Sequence, residues 1–218
     1  MIGSRSLSRN RTARLAAVLI LGTLYTMIRM GTGTPAAHAT TTSGGPTCEG
    51  FIATIVGTPG PDTLFGTPGR DVIVGLGGND VIHGRGGNDV ICGNGGSDQL
   101  FGGRGADEIS GGDGSDTLDG GDGNDDLQGD GGNDDLHGED GNDDLQGDSG
   151  NDTLDGGSGA DDLQGNQGDD DLQGDGGSDT LDGGAGDDVE DGGAGDDTAV
   201  CVVSLVENDD CQGDENTQ

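Results

Sequence analysis

The sequence predicts an all-β chain whose centre is a parallel β-roll, a β-solenoid with short capping strands. Three observations predict it. A nine-residue repeat runs sixteen times from Gly57 to Val200 without insertion or deletion, and a fixed short period of this kind marks a solenoid. Written G-x-x-G-x-D-x-U-x, the repeat keeps its first Gly (Gly57 to Gly192), its fourth-position Gly (Gly60 to Gly195) and its sixth-position Asp (Asp62 to Asp197) without exception. The U column is aliphatic: Leu64, Ile73, Ile82, Ile91, Leu100, Ile109 and then Leu from Leu118 to Leu181, failing only at Glu190 and Ala199.

Residues 1–39 read as a secretory signal. Arg5, Arg9, Arg11 and Arg14 form a basic start, Leu15 to Ile28 is an uncharged and mainly apolar stretch of 14 residues, and Ala37-His38-Ala39 gives a small-x-small cleavage point before Thr40. A membrane anchor is the alternative, but 14 residues fall short of a spanning helix. The expected location is therefore extracellular. Residues 40–56 form a leader and N-terminal cap. Within it 48–56 is apolar and β-prone and reads as one cap strand, with Ile55 nine residues before Leu64 in the U phase.

The roll occupies 57–200. The first and fourth Gly allow backbone conformations closed to other residues, so positions one to six form a turn that exposes its carbonyls. The sixth-position Asp supplies a carboxylate at the turn exit. Positions seven to nine form a short strand, and alternation sends U inward and its neighbours outward. Because every repeat has one length, the turns stack in register, and carbonyl and Asp oxygens of neighbouring turns converge between coils. Ca²⁺ takes six to eight oxygens in flexible geometry, whereas Mg²⁺ demands a tight octahedron and sheds water reluctantly. Multiple Ca²⁺ ions are the expected cofactor. The candidate ligands are Asp62, Asp71, Asp80, Asp89, Asp98, Asp107, Asp116, Asp125, Asp134, Asp143, Asp152, Asp161, Asp170, Asp179 and Asp188. Early repeats carry Val at position seven (Val72, Val81, Val90) and later ones Asp (Asp126, Asp135, Asp144, Asp162, Asp171). The early end has the better β propensity and is expected to fold first with less calcium.

These residues resemble the repeats-in-toxin, or haemolysin-type, calcium-binding nonapeptide G-G-x-G-x-D-x-U-x; Gly111-Gly112-Asp113-Gly114-Ser115-Asp116-Thr117-Leu118-Asp119 matches it in full. The resemblance covers 144 of 218 residues. It implies a right-handed roll with two repeats per coil, hence about eight coils, and up to about fourteen sites between turns. The family's second Gly is often absent, as at Leu76, Arg85, Asn94 and Asp130, which predicts softened turns there. The departure at Glu190 puts the last one or two sites in question. Many members of the family carry the repeats behind a protease, lipase or pore-forming domain. This chain more closely resembles the short, secreted, repeat-only members.

The C-terminal cap and polar tail occupy 201–218, with the apolar run 198–206 covering the last coil. Four Cys lie beyond the signal: Cys48, Cys92, Cys201 and Cys211. An even number in an oxidising compartment points to two disulfides. Of three connectivities, Cys48–Cys92 with Cys201–Cys211 is favoured, because each pair staples one end of the stack.

Charge narrows the function. The chain carries −35 overall, and without residues 1–39 three Arg face 43 acids, a net −40. Nucleic acid is excluded as a partner, since phosphate binding needs Lys and Arg, and direct binding to an anionic membrane is disfavoured. Protein partners are not specified by the sequence. With 51 Gly and 2% aromatic residues, an ordinary core is not expected, and the metal-free chain should be largely disordered. No enzyme is expected: His83 and His137 both sit at the outward ninth position, and no H-E-x-x-H occurs. Asp122-x-Asn124-x-Asp126 opens like an EF-hand, but Leu127 stands where its Gly belongs. Two functions remain. One is a secreted protein whose turns bind calcium and couple binding to folding; the other is a calcium-rigidified structural or adhesive protein of the cell surface or matrix.

Overall fold

In a computed structural model, residues 45–199 are described throughout, together with the backbone pairing of 38–39 and 210–212. Between 45 and 199 the chain is all β, coiled into a parallel roll of two nonapeptides per coil. Strand pairing sets residue i beside i+18 along both sheets: Ile73 pairs with Ile91, Ile91 with Ile109, and Ile109 with Leu127. The opposite sheet pairs Leu64 with Ile82, Ile82 with Leu100 and Leu100 with Leu118. The chain thus alternates between two sheets, and each repeat supplies one turn and one strand.

The U column becomes the core. Ile55 and every U residue from Leu64 to Leu181 form one buried cluster, at most 1% exposed apart from Ile55. The ladder on one sheet begins at Ile55, which pairs with Ile73 as its phase requires. That ladder ends with Ala199 beside Leu181, and on the opposite sheet Glu190 takes the place beside Leu172. The Glu190 side chain is buried, and its Oε1 accepts the Gly183 N–H at 2.7 Å. A hydrogen bond of this kind limits the cost of placing a carboxylate in an apolar column.

Strands are longer than the sequence pattern suggests. Several run six residues, such as Val90–Gly95 and Glu108–Asp113, and continue from position seven through position three of the next repeat. The turn proper is therefore shorter than six residues. Position two stays in the ladder (Gly112 pairs with Asn94 and Asp130) while adopting a left-handed backbone. From Leu76 onward every second-position residue is left-handed, Gly or not: Leu76 at φ 85°, Arg85 at 83°, Asn94 at 75° and Asp130 at 69° stand beside Gly112 at 104°. From the second coil on, the missing second Gly therefore does not change the turn; the stack imposes the conformation on whatever residue is there.

The N-terminal cap is a hairpin rather than one strand. Thr47–Cys48 pairs antiparallel with Phe51–Ile52. Glu49 (φ 48°) and Gly50 (φ 82°) both take positive φ, which reverses the chain tightly in the manner of a type I′ turn. The hairpin lies over the outer face of the first coils, where Cys48, Ala53, Val72, Val74, Val90 and Cys92 form a second apolar cluster. Cys48 and Cys92 are joined by a disulfide across 44 residues, as expected; closing a loop of this length contributes about 4 kcal/mol through the unfolded chain. Cys201 lies outside the described residues, as does most of the expected C-terminal cap. Strand 210–212 pairs parallel with 189–191, setting Cys211 beside Glu190. The signal segment also lies outside them, except that His38 and Ala39 pair antiparallel with Val56 and Ile55.

On the outer face of the other sheet, ninth-position residues stack along the coil axis. Phe65 and His83 have ring centroids 5.1 Å apart, and His83 and Phe101 4.8 Å. The Arg85 guanidinium lies 5.0 Å from the Phe65 centroid and that of Arg70 lies 4.6 Å from Phe51.

Candidate metal centre

The sixth-position Asp residues come together as two ladders, one along each edge of the roll. All fifteen from Asp62 to Asp188 are between 1% and 6% exposed. From Asp80 to Asp188 each carboxylate is fixed in the same way. The backbone N–H of one Asp donates to Oδ1 of the Asp eighteen residues later, at 2.7 Å for Asp62 to Asp80 and 2.8 Å for Asp116 to Asp134. Its carbonyl accepts from the residue nineteen positions on, as Val81 N–H to Asp62 O at 3.0 Å. Asp197, left outside the expected ligands because the U column fails near it, continues the ladder: Asp179 N–H donates to its Oδ1 at 3.0 Å. The signal was present in the unbroken Asp column.

The second carboxylate oxygen behaves differently. In Asp80, Asp89, Asp98, Asp107, Asp116, Asp125, Asp134, Asp143, Asp152, Asp161, Asp170, Asp179 and Asp197, Oδ2 is buried and accepts no hydrogen bond. A buried carboxylate oxygen without a partner costs far more than a satisfied one. Thirteen repeats of that cost in one chain point to a cation.

The glycines shape the space. A methyl group on Gly75 would stand 2.4 Å from Asp80 Oδ2 and 2.8 Å from the carbonyl oxygen of Gly93, one coil on. The first-position column is therefore kept bare where a carboxylate oxygen and a carbonyl of the adjacent coil approach one another. The same holds at Gly93, Gly102 and Gly165. Among the described residues, no three His, Cys, Asp or Glu side chains gather as a metal cluster. The donors on offer are carboxylate oxygens and backbone carbonyls, with no nitrogen or sulfur. That set suits a hard cation with a large, tolerant coordination shell, as Ca²⁺ is, rather than zinc or copper.

Asp62 and Asp71 have the same backbone role but a different second oxygen. Oδ2 of Asp62 accepts the Thr58 N–H at 2.5 Å and the Thr58 hydroxyl at 2.9 Å. Oδ2 of Asp71 accepts the same pair from Thr67, at 2.6 and 2.9 Å. Asp188 accepts the Asp170 N–H through Oδ1 at 2.9 Å.

Burial dominates the electrostatics. Desolvation pushes Asp125 and Asp134 up to about 7, and Asp80, Asp89, Asp116, Asp170 and Asp179 up to about 6; the bond from the preceding Asp N–H pulls the other way, and the flanking carboxylates of the ladder add to the rise. The sign follows from linkage. An Asp titrating near 4 when unfolded and near 6–7 in the metal-free roll binds more protons folded than unfolded across that window. Protonation therefore favours the metal-free roll below about pH 4, and the benefit is lost as pH rises through 6–7. In calcium-free buffer, β signal by circular dichroism is expected to grow as pH falls from 7.5 to 5. A signal that is flat or shrinks over that range would show that these carboxylates are not buried without metal.

His83 and His137 fall outside the ladders. His83 is sandwiched by Phe65 and Phe101, and burial lowers its pKa. His137 Nε2 lies 3.1 Å from Asp135 Oδ1 on the surface.

Comparison with known proteins agrees with this geometry. A family model, the RTX calcium-binding nonapeptide repeat, matches four times, at residues 56–91, 93–127, 128–163 and 164–199. No curated protein matches the chain.

Proposed function

The chain belongs to the RTX calcium-binding nonapeptide repeat family, and from that premise we propose that it is a secreted protein whose roll folds as its turns load calcium. One observation carries the reading: thirteen buried Asp Oδ2 atoms that nothing in the protein satisfies. The residues that would hold the ions are these Asp carboxylates, with the carbonyls of the first- and fourth-position Gly of adjacent coils. A bound Ca²⁺ supplies positive charge between carboxylates that otherwise repel one another. The protein's own part is to fix each carboxylate through its Oδ1 bond and to keep the glycine column clear.

Coupling to folding follows from the same arrangement. Without a cation each added coil buries two more carboxylates beside two already buried, against the ordering cost of a Gly-rich segment. With the cation, binding free energy becomes folding free energy. Secretion is supported by the basic and apolar N-terminal segment with its small-x-small end. Extracellular calcium modules work at roughly 10⁻⁴–10⁻³ M, a concentration met outside the cell and not within it.

The test is a calcium titration of residues 40–218 followed by far-UV circular dichroism, with magnesium as control. A cooperative rise in β signal with calcium and none with magnesium is expected. A chain fully folded in chelator would overturn the coupling.

A further inference from the structure

The thirteen unsatisfied carboxylates begin at Asp80; the two before it are closed by the protein itself. In the first coil, residues 57–74, the threonine of each Gly-Thr-Pro-Gly turn reaches its own Asp with both backbone N–H and hydroxyl. The same hydroxyls lie 3.2 Å from Gly60 O and 3.0 Å from Gly69 O, so each links both limbs of its turn. Neither Thr58 nor Thr67 takes the left-handed backbone found at position two in every later repeat. Pro59 and Pro68 follow them, fixing φ and favouring an extended residue before them. These two turns differ from the thirteen whose Asp Oδ2 has no partner in residue, backbone and hydrogen bonding together.

We propose that Thr58 and Thr67 stand in for calcium, making the cap and first coil a metal-independent template on which the calcium-dependent coils add from the N-terminal end. The proposal rests on the reading that calcium loads the later turns. It goes further in naming the turns that take no ion and the end from which folding runs.

Other contacts converge on the same place. The Thr54 hydroxyl lies 3.1 Å from Val72 O, and it accepts the Val72 N–H at 3.0 Å, tying the cap to the first coil. The Cys48–Cys92 disulfide binds the cap to the next coil covalently. The second apolar cluster lies between them. Arg70 lies over Phe51, and Phe65 stacks on His83. Among the described residues, every disulfide and aromatic contact lies between residues 48 and 101. Stacked repeats behave as neighbours coupled in one dimension, and folding starts wherever a unit is stable by itself. Strands 72–74 and 63–65 then offer preformed edges to strands 90–95 and 81–83. Starting from such an edge avoids the cost of closing the first coil anew.

The deciding experiment is amide hydrogen exchange by mass spectrometry on the full chain with its disulfide formed, in chelator and in saturating calcium. In chelator, peptides covering 54–74 are expected to exchange at least tenfold more slowly than unstructured chain, while those beyond 108 exchange as unstructured. Calcium should then protect the rest. Absence of protection at 54–74 in chelator, with calcium protecting the whole roll, would overturn the template and leave calcium-coupled folding intact. Uniform protection in chelator would instead overturn calcium-coupled folding. A Thr58→Val/Thr67→Val double variant removes both hydroxyls and keeps the side-chain volume. It should lose the chelator-resistant protection at 54–74 and still fold with calcium; protection unchanged from the parent would show that the hydroxyls do not replace the ion.

Discussion

Replacing Gly132 with Ala is expected to abolish cooperative folding of the middle of the roll even in saturating calcium. Gly132 holds φ 154°, and a Cβ there would stand 1.3 Å from the carbonyl oxygen of Gly114 in the preceding coil. Ordinary contact needs more than twice that separation. The obstacle is backbone, and it belongs to a ladder: Gly114 N–H donates to Gly131 O at 2.7 Å and Gly132 N–H to Ser149 O at 2.8 Å. Relieving the clash means parting adjacent coils and breaking bonds on both sides. The cost should exceed about 4 kcal/mol, in the range reserved for core disruption. Gly131→Ala is the control. It is the preceding residue and the last of strand 126–131. Its nearest neighbour to a new Cβ is Gly112 O at 3.9 Å, and its φ is not left-handed. It should change stability by no more than about 0.5 kcal/mol, as an unencumbered substitution does. Thermal melts of both variants in calcium would check the pair. Two similar melts would mean that the coils do not approach as closely as the structure has them.

That contrast also marks what could be read from sequence. The invariance of the fourth Gly was plain in the pattern, but its reason was not. Glycine was expected for its conformational freedom, whereas at Gly132 close stacking against the preceding coil also demands it. The U column gave the core directly, because a spacing of nine places every U residue inward, including Ile55 in the cap. The Cys48–Cys92 pairing followed from the need to cover the first coil. Other features depend on neighbours eighteen residues apart and leave no local trace. The left-handed backbone at Leu76 and Arg85 is imposed by the stack against their own preference. The Phe65–His83–Phe101 stack becomes visible only once two repeats make one coil. The hairpin at Glu49 and Gly50 broke what an apolar run suggested was one strand. The division of the Asp column was the least legible part. Asp62, Asp71 and Asp80 occupy the same position in the same pattern, and the Thr-Pro pair in the turns of the first two separates them from the third.

The ladder should respond to charge in proportion to burial, and Asp134→Asn tests this at its centre. Asp134 is 3% exposed; its Oδ1 accepts the Asp116 N–H at 2.8 Å, and its Oδ2 has no partner. Asn keeps the shape and can keep the bond from Asp116, so the interstrand register survives. What it removes is the negative charge facing the next coil, and with it the electrostatic reason for a cation at that point. An ion held at a hundred times its Kd contributes about 2.7 kcal/mol to the folded state. Losing one should therefore raise the calcium midpoint several-fold and lower the number of bound ions by at least one, measured by titration calorimetry. Asp171→Asn makes the same change of charge at an exposed seventh-position residue and should leave stoichiometry unchanged, with a midpoint within twofold of the parent. If the two variants shift alike, calcium responds to the summed charge of an acidic rod. If only Asp134→Asn loses an ion, the binding is local, and the buried oxygen that the protein leaves unsatisfied is its ligand.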